Sequence, residues 1–541
     1  MVDEVKRAPG EVAEAAPPSS LRLAEAAGVV SGFTFLSRIL GLVREQVFAA
    51  LLGAGLYADA FLAAFRIPNL LRDLFAEGAL SAAFVPTYAR ALTREGKEAA
   101  FRLASRLLTL LGVILGALVL LGMALAGPLV SLLAPGFESV PGKSEVTIEL
   151  TRVMLPFLPL VSFAAVAMGM LNAHGRFGLP AFAPAAFNLV TICWALALWA
   201  FGFSLPQVAL GWAVGTLLGG AAQLLVQLPS LRQLGWRPRP EWAPGDPGIR
   251  AVAGLMAPAT LGLAAVQVNI FVSTIFASHE AGAVAWLQYA FRLLYLPIGI
   301  FGVAVGTVAT ADLARRAALE DREGIRATVA RSLRLLAFLT LPATAGLIAL
   351  GVPIVRLLFE RGRFTTHDTN QTAAALALYA VGLVGYTGVK VLAPAFYAMG
   401  TPRVPLMASA AAVATNLVFI VGLHGSLGFR AIALGTALGS LVNALWLVAV
   451  FERRIGGLVR EILSTATGKM AAVATAMAGV AWLCARALDG RFGGGWVDHL
   501  VTGLLPILAG VACYGLGTWA LGVPEWRHVA ALPGRLLRRK A

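Results

Sequence analysis

The stretch LLTLLGVILGALVLLGMALAGPLVSLL, from Leu107 to Leu133, contains no charged side chain. A helix needs about 20 mostly apolar residues to cross the hydrocarbon core of a bilayer, and this stretch is longer than that. Of the 541 residues, 58% are hydrophobic and 13% are charged, whereas soluble domains carry about 25% charged residues. This composition argues against a soluble enzyme, a disordered scaffold or a repeat solenoid. It predicts an all-α polytopic membrane protein.

The same length criterion, applied along the chain, predicts about 14 transmembrane helices. We expect them at residues 28–52, 59–88, 107–133, 148–172, 179–203, 206–229, 251–278, 283–310, 332–357, 372–398, 404–424, 430–452, 468–488 and 500–523. An even number places both termini on the same side of the membrane.

Basic residues concentrate in the loops that follow the second, sixth, eighth and twelfth predicted spans. By the positive-inside rule these loops are cytoplasmic, so the tails at residues 1–27 and 524–541 are expected there as well. An exception is the loop after the ninth span, which carries Arg361 and Arg363. The net charge of +15 is explained by basic cytoplasmic loops, and nucleic acid is not expected as a partner.

An internal repeat is visible at an offset of 226 residues: Ala64-Phe-Arg66 recurs as Ala290-Phe-Arg292. It predicts two parallel six-helix repeats, at residues 28–230 and 251–453, followed by two additional helices at 468–523. Chance similarity between Ala/Leu-rich helices is the alternative. Repeats of this kind commonly enclose a site near the bilayer midplane, which favours a transporter.

Several charged residues fall at membrane depth. An arginine near the bilayer centre costs at least about 2.5–3.5 kcal/mol if nothing compensates it, so these side chains should face a wet interior. Guanidinium groups bind phosphate in a bidentate manner and stay charged. The alternative is that they form structural ion pairs or reach the interface. The candidate substrate-binding residues are Arg38, Arg44, Asp59, Arg66, Asn69, Arg72 and Arg292.

No enzyme motif accompanies these charges. The six histidines show no HExxH spacing, and neither a Ser/His/Asp set nor a phosphate-binding P-loop is present. Cys193, Cys484 and Cys513 show no CxxC spacing. We therefore expect no catalytic residue, no metal and no cofactor.

The segments Ser37-Arg-Ile-Leu-Gly41-Leu-Val-Arg44, Asp59-Ala-Phe61 and Phe65-Arg-Ile-Pro-Asn-Leu-Leu-Arg72 closely resemble the start of the MurJ (MviN) family. Its members are bacterial inner-membrane flippases for lipid II, the peptidoglycan precursor. The resemblance covers residues 28 to about 523. It implies lipid II as the transported substrate, with membrane lipids and cell-wall synthesis proteins as further partners.

The resemblance also implies roles for residues. Arg44, Arg72 and Arg292 match essential arginines of a central cationic cavity, and Arg38 and Asp59 match other important positions. The last two helices resemble a groove for the polyprenyl tail. Where some members have a sodium-binding carboxylate, this chain has Ser273, and Ile420 occupies a position where a second polar ligand is expected. These departures do not favour sodium coupling.

The working hypothesis is alternating access. The pyrophosphate is held by Arg44, Arg72 and Arg292 while the tail stays in lipid, and neutralising the repulsion between the arginines lets the halves close. The alternatives are a related polysaccharide-lipid flippase, or a multidrug exporter of the same superfamily, which should show an acidic cavity. A glycosyltransferase would need a large extracytoplasmic loop.

Overall fold

The computed structural model describes residues 20–73, 79–491, 493 and 495–526. Most of both predicted cytoplasmic tails therefore lies outside the described residues, as do Phe75 and Glu77 of the second predicted span. The described chain is helical with short connections.

The first ten helices are followed by ten more with a matching order of long and short members. The first ten are α1 (Ser20–Leu52), α2 (Leu56–Arg72), α3 (Ala79–Arg94), α4 (Lys97–Ala124), α5 (Ala126–Leu133), α6 (Lys143–Met154), α7 (Phe157–Ala173), α8 (Gly178–Ala200), α9 (Leu205–Leu225) and α10 (Leu228–Gln233). The next ten are α11 (Pro247–Ala277), α12 (Ala283–Pro297), α13 (Val303–Ala318), α14 (Arg322–Ala349), α15 (Gly351–Phe359), α16 (Thr366–Val381), α17 (Leu383–Ala398), α18 (Arg403–Leu427), α19 (Arg430–Arg454) and α20 (Leu458–Ile462). Two further helices close the described chain, α21 (Thr465–Leu488) and α22 (Trp496–Ala520).

Local sequence explains where several of these helices begin. Asp246 precedes α11, and its carboxylate accepts hydrogen bonds from the N–H groups of Gly248 and Ile249. Capping boxes formed by Ser204 with Gln207 and by Thr365 with Asp368 start α9 and α16. These side chains satisfy backbone N–H groups that have no partner within the helix.

Ten helical segments among the described residues are long and apolar enough to cross a membrane. An eleventh is obtained if α16 and α17, which are bent by 41° at Gly382, cross as one. The chain is thus an all-helical, multi-pass membrane protein, as the sequence predicts.

The number 14 stays a prediction, because three of the predicted spans have no such single apolar helix. α1 carries Arg38, Arg44 and Glu45 within one membrane length. The second predicted span includes residues 74–78, which lie outside the described residues, and only α2 and α3 on either side of them are described. In the seventh predicted span, the apolar part of α11 among the described residues covers only residues 267–277. This segment is shorter than a membrane crossing.

We call α1–α10 the first helix series and α11–α20 the second. The two series meet at both ends of the molecule. At one end, Phe48 and Ala58 of the first series share a buried cluster with Ala283 and Tyr289 of the second. At the other end, Val252 of α11 packs into the buried cluster around α3 and α4. α21 packs on α14 and α22, outside both series. Of the candidate site residues, Asp59 lies within the first of these zones, beside Ala58.

Candidate functional site

Glu45 joins arginines of the two helix series. Its carboxylate accepts a hydrogen bond from Arg44 Nη2 at 2.7 Å and lies 3.5 Å from Arg292 Nη2 of α12. The side chain of Glu45 is largely buried, whereas that of Arg292 is half exposed. Arg44 also stacks over the ring of Phe187, at 5.3 Å from its centroid. One carboxylate therefore holds two guanidinium groups that would otherwise repel each other.

Arg66 lies beside this group. Its Nη2 donates to Gln288 Oε1 of α12 at 3.1 Å, and Gln288 is one helical turn before Arg292, so both side chains are on the same face of α12. Arg44, Arg66 and Arg292 carry three positive charges against the one negative charge of Glu45. The excess positive charge favours binding of an anion.

Arg72 ends α2 and is paired with its neighbour. Its guanidinium donates to Asp73 Oδ1 at 2.9 Å, and Gln267 of α11 donates to the other oxygen of Asp73 at 3.1 Å. These contacts join α2 to the second helix series. From the sequence, a structural ion pair is the alternative to substrate binding by the arginines. For Arg72 such a pair is present, with Asp73 as its partner.

Arg38 is exposed and lines a cavity of about 360 Å³ between α1, α7 and α8, together with Thr34 and Asn172. A Cβ built on Gly299 would lie 3.5 Å from Arg38 Nη1. The guanidinium therefore reaches from α1 toward the second helix series. Asn69 lines a different cavity, of about 300 Å³, together with Arg66.

Asp59 is not brought together with the arginines. Its side chain is fully buried and accepts a hydrogen bond from Lys143 Nζ at 2.8 Å. It also accepts from the N–H groups of Gly282 at 2.7 Å and Ala285 at 3.0 Å, at the start of α12. Lys143 lies 4.1 Å from the centroid of Phe137. This buried ion pair therefore fastens α2 and α6 of the first series to α12 of the second.

Further bonds close the same end of the molecule. The hydroxyl of Tyr289 donates to the carbonyl of Gly53, and the N–H of Arg363 donates to the carbonyl of Ala50, both at 2.9 Å. Gly362 adopts a φ of 61°, and a Cβ at this position would lie 2.3 Å from the carbonyl oxygen of Ala50. Glycine is thus required for the loop after α15 to approach α1 this closely.

Three residues that matter here were absent from the sequence-based set. Glu45 directly follows Arg44, and an acidic residue beside an arginine at membrane depth is a signal that could have identified it. Gln288 precedes Arg292 by one turn, which is a weaker signal. Lys143 falls between the third and fourth predicted spans, and nothing in the sequence indicates its burial, since its partner is 84 residues away.

A family model described as "Lipid II flippase MurJ" matches residues 48–497. This chain belongs to the MurJ family. It is 37% identical over 434 residues to "Lipid II flippase MurJ" of Burkholderia cenocepacia, covering 79% of this chain and 83% of the relative. It is 35% identical over 500 residues to "Probable lipid II flippase MurJ" of Rhizobium tropici, covering 91% and 93%.

Solved structures agree with the assignment to the MurJ family. "Lipid II flippase MurJ, inward closed conformation" superposes with a TM-score of 0.74 at 25% identity, covering 91% of this chain and 98% of that one. An inward-facing multidrug resistance MATE transporter superposes with a TM-score of 0.66 at 17% identity, covering 80% and 99%. The second likeness shows a shared fold. The predicted family is confirmed, and with it the prediction of a transporter rather than an enzyme.

Proposed function

We propose that this chain translocates lipid II from the cytoplasmic to the outer face of a bacterial inner membrane by alternating access. The observation that carries the proposal is the bridge from Glu45 to Arg44 and Arg292, because it places an anion between guanidinium groups of both helix series. A pyrophosphate offers more acceptor oxygens and more charge than one carboxylate. It is suited to displace Glu45 from the two arginines.

The headgroup is held by the candidate residues in different ways. Arg44, Arg66 and Arg292 take the pyrophosphate, since Arg44 and Arg292 share the carboxylate of Glu45 and Arg66 bonds to Gln288 on the face of α12 that carries Arg292. Arg38, Asn69 and Arg72 lie farther along the two cavities or at the end of α2, where they meet the sugar and peptide portions. Asp59 acts at a distance, by sealing one end of the molecule.

The architecture proposed for this cycle has 14 spans in two six-helix halves, at residues 28–230 and 251–453, with additional helices at 468–523. It is supported by the matching order of long and short helices in α1–α10 and α11–α20. The basic loops support cytoplasmic termini. In that orientation the end sealed by Asp59 and Lys143 faces outward.

The additional helices provide a surface for the polyprenyl tail. α21 and α22 pack against α14 and α15, and large apolar side chains remain exposed on them. They include Trp482, Leu483, Leu508, Val511 and Trp519. A tail lying here stays in contact with lipid while the headgroup occupies the interior, which avoids moving the hydrocarbon chain through a polar cavity. Cell-wall synthesis proteins remain a predicted partner class.

Anion binding drives the change of conformation. Without substrate, Glu45 neutralises one of the positive charges and holds α1 beside α12. When pyrophosphate replaces it, Glu45 is freed and the charge at the centre of the site becomes more negative. This change shifts the equilibrium between the conformation closed at the outer end and the one closed at the cytoplasmic end. The outer end opens when the contacts of Asp59 with Lys143 and α12 are broken.

The test is native mass spectrometry of the purified chain with lipid II, with bare undecaprenyl pyrophosphate and with a cationic drug. Arg44→Gln and Arg292→Gln should each weaken lipid II binding by about ten-fold or more, the value of a charge-assisted hydrogen bond. Arg152→Gln is the matched control, because Arg152 is exposed on α6 and donates to the carbonyl of Met123, away from the site and from the additional helices.

Equal retention of lipid II by both site variants would contradict the proposal. Preference of the wild-type protein for the cationic drug would instead indicate an exporter of the kind suggested by the shared MATE fold.

A further inference from the structure

A second cavity lies between the two helix series, on the side of α2 that faces α4, α5 and α11. Its volume is about 300 Å³, at the lower end of the range for small-molecule sites, which is about 300–1,000 Å³. Half of its lining residues are leucines, which come from α2, from α4 and α5, and from the residues that follow α4 and α6. Its polar groups are the side chains of Arg66, Asn69, Gln267 and Thr274.

We propose that this cavity binds a single-chain anionic amphiphile of the fatty-acid class, with the hydrocarbon among the leucines and the carboxylate beside Arg66 and Asn69. The volume suits one chain of medium length rather than a two-chain phospholipid. Nothing in the translocation cycle proposed above requires an apolar compartment at this place.

The apolar part of the cavity is open to lipid. Leu121 and Leu125 line it, and they are 55% and 44% exposed on the outer surface of α4. A hydrocarbon chain can therefore enter from the membrane without crossing water. Gly122 lies between them, and a Cβ there would come within 3.0 Å of Leu155. Because Gly122 has no side chain, the wall of the cavity leaves room for a hydrocarbon chain at this position.

The polar end selects for negative charge. Arg66 uses one nitrogen to donate to Gln288 and retains further N–H donors on its guanidinium. Within the described part of the chain, the amide of Asn69 makes no hydrogen bond, so its donors are available. Gln267 and Thr274 are already bonded, to Asp73 and to the carbonyl of Ile270. A carboxylate accepts from Arg66 and Asn69, whereas an ammonium group would be repelled by Arg66.

The cavity also lies at a boundary that moves. α2, α4 and α5 belong to the first helix series and α11 to the second, so a ligand here contacts both. By linkage, it stabilises conformations in which α11 stays close to α4. The ligand thus acts on the alternation of the two halves, with its hydrocarbon among the leucines and its carboxylate on Arg66, which it shares with the proposed pyrophosphate site.

The experiment measures binding of laurate, dodecanol and dodecylamine to the full chain by native mass spectrometry from detergent, with no lipid II present. The absence of lipid II matters because Arg66 also serves the proposed function. Laurate should bind at least about ten-fold more tightly than the other two, in line with a charge-assisted hydrogen bond. Equal binding of the three compounds would overturn the proposal.

Variants on α5 locate the site. Leu129 lines the cavity and is half buried, so Leu129→Trp should fill it and reduce laurate binding by about ten-fold or more. Leu132 lies three residues further on the same helix, is 61% exposed and does not line the cavity, so Leu132→Trp should bind laurate as the wild type does. Equal binding by both variants would place laurate elsewhere, even if lipid II binding behaves as proposed.

Discussion

The ion pair between Lys143 and Asp59 should determine how often the outer end of the protein opens. Both side chains are almost fully buried, and the nitrogen to oxygen distance is 2.8 Å. The substitution Lys143→Met keeps most of the length of the side chain and removes its charge. Asp59 then keeps the N–H groups of Gly282 and Ala285 as partners but has no positive charge beside it.

The magnitude follows from the burial. Removing one partner of a buried ion pair costs about 3–5 kcal/mol, because the remaining charge is left uncompensated. In the outward-open conformation Asp59 meets water, so the cost applies to the closed state alone. The ratio of open to closed molecules should rise by a factor of about 10² to 4 × 10³.

Pulsed electron paramagnetic resonance can measure this change. Glu145 of α6 and Asn370 of α16 are exposed and lie in different helix series, so spin labels on cysteines there report the distance across the outer end. The native residues Cys193, Cys484 and Cys513 are replaced first. Lys143→Met should move the main distance population to a longer value.

The matched control is Arg152→Met on the same helix, since Arg152 is exposed and donates only to the carbonyl of Met123. Its distances should equal those of the wild type. The double variant Lys143→Met/Asp59→Asn should restore part of the closed population, because it removes the unpaired charge. If Lys143→Met leaves the distance distribution unchanged, the ion pair does not hold the outer end closed.

Three more predictions concern single contacts. Glu45→Gln should strengthen binding of undecaprenyl pyrophosphate by about ten-fold or more in native mass spectrometry, because it removes a competing carboxylate; weaker binding would show that Glu45 is needed to place the arginines. Gly362→Ala should lower the unfolding free energy by about 1–3 kcal/mol and by more than Gly400→Ala, which has the same sign of φ in open space; equal thermal melting shifts would contradict the close contact with Ala50. Tyr289→Phe should cost about 1–3 kcal/mol, since the carbonyl of Gly53 loses its donor; a melting temperature equal to that of the wild type would argue against this bond.

Much of the fold could be predicted because hydrophobic length and basic loops are local signals. Helices appear at each predicted apolar stretch, and α6 with α7 forms one long segment where the fourth span is expected. Residues 74–78 of the second predicted span lie outside the described residues, so whether α2 and α3 form one span stays a prediction. The exact number of membrane crossings depends on how charged helices such as α1 lie against their neighbours.

The site is predictable to a smaller degree. Arginines at membrane depth pointed to α1, α2 and α12, because an uncompensated charge there is costly, and the structure brings Arg44 and Arg292 to the same carboxylate. Asp59 and Arg66 were both predicted to bind substrate, but the structure pairs Asp59 with Lys143 and Arg66 with Gln288, at different places on α2. Which partner a charge finds is decided by packing between helices that are distant in the sequence. Helical spacing does not contain that information.

The proposed repeat explains why positive charge accumulates between α2 and α12. Asp59 accepts from the N–H of Ala285, which lies 226 residues later, the same offset that relates Arg66 to Arg292. Positions related by the offset of a repeat can touch only near the axis that relates the two halves. Duplication therefore places a second arginine beside the first, and their repulsion requires an anion between the halves. In the empty protein Glu45 supplies this anion through its contact with Arg292. In the loaded protein the pyrophosphate of the proposed substrate supplies it, so an anion beside Arg292 stabilises both states.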